Sequence, residues 1–438
     1  MKPLLIKDGR IIDPRQGRDE LGSLLLSEGK IVWQGVTTPQ SDYDLLYAEG
    51  MVVCPGFVDL HCHLRQPGFE EKETIATGTR AAARGGFTTV CCMPNTNPPL
   101  DSPETVEYVK TEAEKSGVIR VLSIGCITRG RNGEELADMA ELARAGVIGF
   151  SDDGSPVKNP EIMRQALEKS RELGLPVIDH CEEPSLIEGG QMNEGALAER
   201  LGLRGIPPAS EEIMVSRDIM LARMTGGHVH IAHVSTAGAL ALIRDAKRQG
   251  AKVTVEVTPH HLTLTEEECN GYNTNAKVSP PLRTRRDNQS LIRGLKDNVI
   301  DIIATDHAPH AQSDKECDFT KAACGISNFE TALGSLLQPV HSGQIILPDL
   351  IARLTCEPAR LLKDDLLGTL KIGAPADITI FDPYKDWAVD PTAFASKGKN
   401  TPLVGRVLKG RTMATIYGGR LVYKDDSITL IGGEVDSK

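Results

Sequence analysis

No stretch of this 438-residue chain approaches the 18 or so consecutive apolar residues that a membrane-spanning helix needs. The opening residues, Met1-Lys2-Pro3-Leu4-Leu5-Ile6-Lys7-Asp8, are too short an apolar run and too charged to act as a signal peptide. Positive charge is in deficit: 49 basic residues face 60 acidic ones, a net charge of −11, which argues against nucleic acid or an anionic membrane as partner. An anionic metabolite is not excluded, because local arginine and metal charge decide that. Cys-x-x-Cys pairs are absent. The ten cysteines lie mostly inside apolar runs, as Cys91, Cys92 and Cys126 do, and read as reduced core residues of a cytoplasmic protein. Low-complexity segments are also missing, and a hydrophobic share of 40% is ample for a large core. The length leaves room for two or three domains, although large α/β barrels exceed 250 residues as one unit.

What is present falls into two patterns. The first 50 or so residues are short apolar runs (Leu4-Leu5-Ile6, Arg10-Ile11-Ile12, Leu24-Leu25-Leu26) separated by turn signals at Asp8-Gly9 and Glu28-Gly29. The last 70 look alike, with Ala376 to Phe381 and Thr415 to Tyr423 as strands. Gly29-Lys30-Ile31-Val32 and Gly419-Arg420-Leu421-Val422 repeat one hairpin edge, so both termini are expected to fold into one small β-domain, a β-sandwich of residues 1–54 and 367–438. Between them, β-rich runs recur at 52–60, 88–93, 119–127, 146–150, 175–179, 229–234, 252–258 and 299–304. Amphipathic helical stretches separate most of them: Glu104 to Lys115, Glu134 to Ala145, Pro160 to Leu173, Glu211 to Met224 and Gly238 to Gln249. This alternation predicts an α/β fold, a (β/α)8 TIM-type barrel over residues 55–366. A doubly wound open sheet is the alternative, and 262–298 is the least regular connection.

Active sites of such barrels form at the C-terminal ends of the strands. Strand one ends in His61-Cys62-His63, whose imidazoles at i and i+2 share a face and make a good divalent-metal chelate, with Arg65 on the same side. Strand four ends in Ser151-Asp152-Asp153-Gly154, strand five in Asp179-His180-Cys181-Glu182, strand six in Ala232-His233-Val234-Ser235 and strand eight in Thr305-Asp306-His307-Ala308-Pro309-His310. Four histidines and two carboxylates at one mouth exceed what one tetrahedral ion needs and suit two metals about 3.5–4 Å apart. Spacing leaves the choice between Asp152 and Asp153 open. His228 and His230 alternate away from His233 and are expected to face the helix layer. His260 and His261 are near the mouth without being expected as ligands, His307 is expected behind the ligands, and His341 at the surface.

Taken together, His61-Cys62-His63-Leu64-Arg65-Gln66-Pro67-Gly68, Met93-Pro94-Asn95-Thr96, Asp152-Asp153-Gly154, His233-Val234-Ser235-Thr236 and Asp306-His307-Ala308-Pro309-His310 resemble the bacterial type I dihydroorotases of the amidohydrolase superfamily. Gly368 to Asp377 is similar to that superfamily's return strand into its β-domain, so the resemblance spans the chain. It implies two zinc ions per subunit, with His61, His63 and Asp306 on one, His180 and His233 on the other, and Asp153 bridging. It implies reversible cyclisation of N-carbamoyl-L-aspartate to L-dihydroorotate in pyrimidine (UMP) biosynthesis, with Asp306 as the catalytic proton carrier. Beside the metals it implies substrate contacts from His63, Arg65, Asn95, Ser279, His310, Cys324 and Gly325. The chemistry is consistent with this: a metal lowers the pKa of bound water to about 7, a nearby carboxylate shuttles the proton, and an arginine binds a carboxylate through its fork.

Hydantoinases and allantoinases are the nearest enzymatic alternative. They bridge their metals with a carboxylated lysine at the strand-four position, where this chain has Ser151 to Gly154 and no lysine before Lys158. A non-catalytic partner of aspartate transcarbamoylase is the other alternative; such chains have generally lost metal ligands, and this one keeps all six. Association with that transcarbamoylase and homo-oligomerisation are expected on the same ground. Two departures from the family pattern stand out: Ser279 in Lys277-Val278-Ser279-Pro280-Pro281-Leu282-Arg283 replaces an asparagine, and Ala323-Cys324-Gly325-Ile326 replaces Pro-Phe-Gly-Ile. Residues 311–324, polar and charged, are the expected mobile loop.

Overall fold

A computed structural model of the chain describes residues 2–37, 39 and 42–435. Met1 and residues 436–438, the outermost ends of the expected β-domain, lie outside the described residues. The N-terminal part supplies β1 (Leu4–Asp13), β2 (Arg18–Ser27), β3 (Lys30–Gly35), β4 (Asp44–Tyr47) and β5 (Val52–Pro55). Glu28 and Gly29, at φ 51° and 75°, make the tight turn between β2 and β3. Asp8-Gly9 is no turn. It is a bulge inside β1, where Asp8 sits at φ 60° and the pairing with β2 shifts register. Glycine is required there because a Cβ would lie 2.4 Å from Val53.

The parallel part contains β6 (Phe57–Cys62), β7 (Phe87–Cys92) and β8 (Arg120–Ser123) in one sheet. After β9 (Val177–Asp179) come the two-residue pair β10 (Met192–Asn193) and β11 (Gly205–Ile206). Then follow β12 (Val229–Ile231), β13 (Val253–Val257) and β14 (Ile302–Ile303), which with β9 form a second parallel sheet. The fourth strand expected at 146–150 shrinks to Phe150, which bridges Gly125 on one side and Val177 on the other. At the other junction Cys62 bridges His307, and the His63 amide donates to the His307 carbonyl at 2.9 Å. The eight parallel segments are thus joined neighbour to neighbour in a ring.

Side chains sort to its two faces by strand alternation. Val229 and Ile231 of β12, and Val253, Val255 and Val257 of β13, pack outward with helix residues such as Met214 and Leu240. Val58, Leu60, Cys91, Met93, Ile124, Ile178 and Ile302 make a separate inner cluster. The flanking helices begin where capping residues place them: Ser102 before Pro103–Ser116, Asn159 before Pro160–Leu173 and Thr236 before Ala237–Arg248. The helix expected from Glu134 starts later, at Met139, because Asp138 caps it and Thr128 bridges Leu136 ahead of it.

The C-terminal part adds β15 (Ile378–Ala388), β16 (Val407–Tyr417), β17 (Arg420–Lys424) and β18 (Leu430–Ile431). Termini combine in one nine-stranded mixed sheet, ordered β17-β16-β15-β5-β1-β2-β3, with β4 on β1 and β18 on β4. The strands expected as a β-sandwich are hydrogen-bonded as this single branched mixed sheet: β1 pairs with β4 along its first half and β5 along its second. The repeated hairpin turns meet directly. A Cβ on Gly29 would lie 3.1 Å from the Gly418 carbonyl, and one on Gly419 3.0 Å from the Gly29 Cα.

Candidate metal centre

Four histidines from three segments converge on two carboxylates. Nε2 of His61 lies 3.4 Å from Asp153 Oδ1 and 3.6 Å from Asp306 Oδ1. Nε2 of His63 lies 3.0 Å from Asp306 Oδ1 and 3.6 Å from Asp153 Oδ2. Nδ1 of His180 and Nε2 of His233 stand 3.4 Å and 3.6 Å from Asp153 Oδ1. All six residues are buried. His61, His63 and Asp306 form one group with ligand geometry, and His61, Asp153 and His233 another. His180 joins the cluster through Asp153.

The arrangement fits divalent metal. Two atoms bound at about 2.0–2.1 Å to one tetrahedral ion are themselves about 3.4 Å apart, and most of the distances above are of that length, too long for good hydrogen bonds. Nε2 of His61 and Oδ1 of Asp153 are buried with no hydrogen-bond partner, which is costly unless a cation meets them. Burial alone would raise the Asp153 pKa, but His61, His180 and His233 outweigh it and hold the carboxyl well below its usual range. Asp306 is lowered in the same way, against burial, by His63 and His61. Burial opposes charge on His180, yet Asp153 and Glu182 raise it to about 10; Asp153 and Glu256 likewise raise His61.

Local backbone aims these groups. Arg65, His233 and Asp306 have φ of 62°, 32° and 44°, left-handed conformations that non-glycine residues rarely adopt. Asp153, not Asp152, faces the histidines. Asp152 turns back to accept from the amides of Ile127 (2.9 Å) and Thr128 (3.1 Å).

A cavity of about 320 Å³ opens over the cluster, lined among others by His63, Arg65, Asn95, Ser279, His310, Cys324 and Gly325, so every expected substrate contact reaches it. Arg65 donates from Nε to the Pro309 carbonyl at 3.2 Å, with Nη2 3.3 Å from His310. His310 Nε2 donates to the Cys324 carbonyl at 2.9 Å, and burial, with Arg65 beside it, lowers its pKa to about 3. Asn95 Oδ1 meets His63 Nδ1 at 2.9 Å. The Ser279 hydroxyl donates to Glu182 at 2.5 Å, and Glu182 in turn holds His180 Nε2 at 2.9 Å. In the segment expected as a mobile loop, Lys315 is buried and donates to the Ala323 carbonyl at 2.6 Å, and Lys277 donates to that of Phe319 at 2.7 Å.

Several residues that hold the site escaped the sequence reading. Glu256 meets His61 Nδ1 at 2.7 Å and His230 Nε2 at 3.1 Å. His230 therefore points into the ring, correcting the expectation that it faces the helices. β12 ends at Ile231, and the left-handed His233 breaks the alternation from which the faces had been counted. Asn400 accepts from the His310 amide at 2.9 Å and donates to the carbonyls of Ala308 and Gly325, both at 3.0 Å. His307 stacks on Phe329 with centroids 4.1 Å apart and approaches Glu73, behind the cluster. His260 takes an Asn328 bond at 2.8 Å, and His261 bonds Thr258 and the Pro280 carbonyl.

Comparison with known proteins bears on what such a site does. The family model described as dihydro-orotase-like matches residues 50–239. A dihydroorotase of Pelotomaculum thermopropionicum is 50% identical over 423 residues, 96% of this chain and 99% of that one. One of Syntrophus aciditrophicus is 48% identical, covering 97% and 100%. Among solved structures, an L-hydantoinase (dihydropyrimidinase) from Arthrobacter aurescens superposes with a TM-score of 0.88 at 24% identity over 98% of each chain, a likeness of fold. With about half its residues shared along nearly its whole length, the chain belongs to the dihydroorotase family of enzymes.

Proposed function

We propose that this chain is a zinc-dependent dihydroorotase that interconverts N-carbamoyl-L-aspartate and L-dihydroorotate in pyrimidine biosynthesis in the cytoplasm. The observation that carries the reading is one cavity lined by His63, His180, His233, Asp153 and Asp306, with His61 buried behind them, and by Arg65, which has no carboxylate hydrogen-bond partner among the described residues. In this reading the strand ring is a (β/α)8 barrel of residues 55–366, and residues 1–54 and 367–438 form the second domain. His61, His63 and Asp306 would hold one zinc ion and His180 and His233 the other, with Asp153 shared. Zinc bound there would acidify a coordinated water to a pKa of about 7 and polarise the ring carbonyl.

The side chains do the rest. Asp306 takes the proton that the water loses as it attacks the ring carbonyl and delivers it to the amide nitrogen as the C–N bond breaks and the ring opens. Arg65 receives the substrate carboxylate through its fork, and neutral His310 beside it adds no competing charge. Asn95, its oxygen engaged by His63, directs its amide N–H groups at the substrate. Ser279, Cys324 and Gly325 complete the wall. Asp153 in place of a bridging lysine favours this reading over a hydantoinase. Self-association, and association with an aspartate transcarbamoylase, are part of the same proposal; among the described residues no helix is long and apolar enough to cross a membrane.

The test is ring opening of dihydroorotate and its reverse, with and without added zinc, alone and with the transcarbamoylase. Zinc-dependent interconversion by protein holding one or two zinc ions is expected. Metal-replete protein that is inert on dihydroorotate in every arm, whether or not it opens hydantoin or allantoin, overturns the proposal.

A further inference from the structure

We propose that Glu256 and Thr254 are positioning residues for the metal-binding atoms of the site, acting through a column of hydrogen bonds inside the strand ring; the inference rests on the metal reading above. The column runs from His228 at its outer end to His61. His228 Nε2 lies 2.8 Å from Thr254 Oγ1, and Thr254 Oγ1 lies 2.8 Å from His230 Nδ1. His230 Nε2 lies 3.1 Å from Glu256 Oε2, and Glu256 Oε1 lies 2.7 Å from His61 Nδ1. His61, His230 and Glu256 are fully buried.

Sequence and pairing dictate this line. His228 and His230 share a face, Thr254 and Glu256 share a face, and His230 pairs directly with Thr254 across the parallel β12–β13 ladder. The outward positions between them are valine and isoleucine, so the polar residues have nowhere to point but inward.

Counting protons fixes the direction of every bond. When His61 offers Nε2 to a metal, its one proton sits on Nδ1 and is donated to Glu256. A carboxylate has no proton to give, so His230 must donate from Nε2. With one proton, His230 then accepts at Nδ1, which obliges the Thr254 hydroxyl to donate there. Thr254 has spent its only hydrogen and must accept from His228 Nε2–H. Four bonds use four protons, one each from His61, His230, Thr254 and His228, and every bond points toward Glu256. Reversing any link leaves an imidazole lone pair facing the carboxylate. Thr254 therefore holds His230 in the tautomer that holds Glu256, and Glu256 holds His61 with Nε2 bare.

Glu256 has a second grip on the site. Oε1 also accepts from the backbone amide of His233 at 3.4 Å, at the residue whose φ is 32°. One carboxylate thus orients the side chain of His61 and the strained backbone of His233, two of the proposed ligands.

The experiment titrates Zn²⁺ into metal-stripped protein against a competing chromophoric chelator, for wild type, Thr254→Val, Thr254→Ser and Glu256→Gln, with thermal unfolding as a check on folding. Partners behind a metal ligand typically contribute 10–100-fold in metal affinity. We expect Thr254→Val to bind zinc about 10-fold more weakly, Thr254→Ser to match wild type because it restores the hydroxyl, and Glu256→Gln to weaken binding by up to about 100-fold. Turnover of dihydroorotate should fall in Thr254→Val through kcat, with KM unchanged. Folded Thr254→Val with wild-type zinc affinity overturns the column. Should that variant not fold, Glu256→Gln with wild-type affinity overturns it instead. A wild-type chain that takes up no zinc overturns the metal reading itself, and the column with it.

Discussion

Oδ1 of Asp306 lies 3.0 Å from Nε2 of His63, on a backbone turned to a φ of 44°. A non-glycine residue held in that region costs about 1–3 kcal/mol, and such strain gathers where a fold aims functional groups. His233 and Arg65 carry the same strain in the same cavity. Asp306→Ala should therefore keep the fold and lose at least about 10²-fold in kcat/KM for dihydroorotate, the usual scale of general acid–base help. Near-normal turnover in that variant would remove Asp306 from its role as proton carrier.

In the proposed function Arg65 is the residue that ties the metal cluster to an acidic substrate. Arg65→Lys keeps a cation and loses the fork. A hydrogen bond to a charged group contributes about 1.5–3 kcal/mol, so KM for dihydroorotate should rise about 10–100-fold with kcat changing less. The companion measurement compares dihydroorotate with its carboxamide: wild type should strongly prefer the acid, and Arg65→Met should lose that preference. Equal selectivity in both would place the substrate carboxylate elsewhere.

Ser279 stands where the family pattern has an asparagine, but its hydroxyl is committed to Glu182, which braces His180. Ser279→Ala should accordingly lower kcat and zinc affinity while leaving KM for dihydroorotate within about twofold, since an outer hydrogen bond to a ligand's partner acts on the metal rather than on substrate binding. A rise in KM alone would mean that the hydroxyl serves the substrate directly.

The six clustered residues were legible because each lies at the end of a β-rich run, and strand ends converge whatever the helices between them do. Asp153 could not be told from Asp152 by spacing, because what separates them is a pair of backbone amides, Ile127 and Thr128, that claim Asp152 from 25 and 24 residues away. His230 was misplaced for a related reason: parity counted back from His233 fails once the backbone turns left-handed there. Glu256 and Asn400 left no sequence signal. Glu256 is one acidic residue in a strand, and Asn400 lies in an irregular stretch whose role depends on packing against the loops that carry His310 and Gly325. The mixed sheet was legible as hairpins at both ends, whereas its branching at β1 depends on a bulge at Asp8-Gly9 that reads as a turn.

Metal uptake should depend on pH with a sign set by the imidazoles. Burial disfavours charge on His180, but Asp153 and Glu182 raise it to about 10, and His61 is raised as well. In the metal-free site these nitrogens hold protons at neutral pH, and a metal must displace them. Zinc affinity should fall as pH falls, by about tenfold per pH unit for each proton displaced, with at least about one proton released per zinc near pH 7. Calorimetric titrations in two buffers of different ionisation enthalpy measure that number. Zinc binding without proton release, and with affinity flat in pH, would contradict the charge state assigned to the cluster.

A buried carboxyl outside the candidate metal cluster should give the fold a pH dependence of the opposite origin. Glu330 accepts from the amides of Ala395 (2.9 Å) and Ser396 (3.2 Å), and Arg84 Nε is 3.2 Å away. Burial nevertheless pushes its pKa up to about 7, from an ordinary 4.5. Below 4.5 the group is protonated in both the folded and unfolded chain and contributes no slope. Between 4.5 and 7 the folded state holds the proton more tightly, so stability falls as pH rises, and above 7 the full penalty for the ionised form is present. At 1.36 kcal/mol per unit the change amounts to about 3 kcal/mol at most. Urea unfolding of wild type and Glu330→Gln at several pH values isolates it: wild type minus variant should decline from about pH 5 to pH 8. A difference that does not vary with pH would mean that Glu330 ionises as an ordinary glutamate and that its two amide bonds and Arg84 fully compensate its burial.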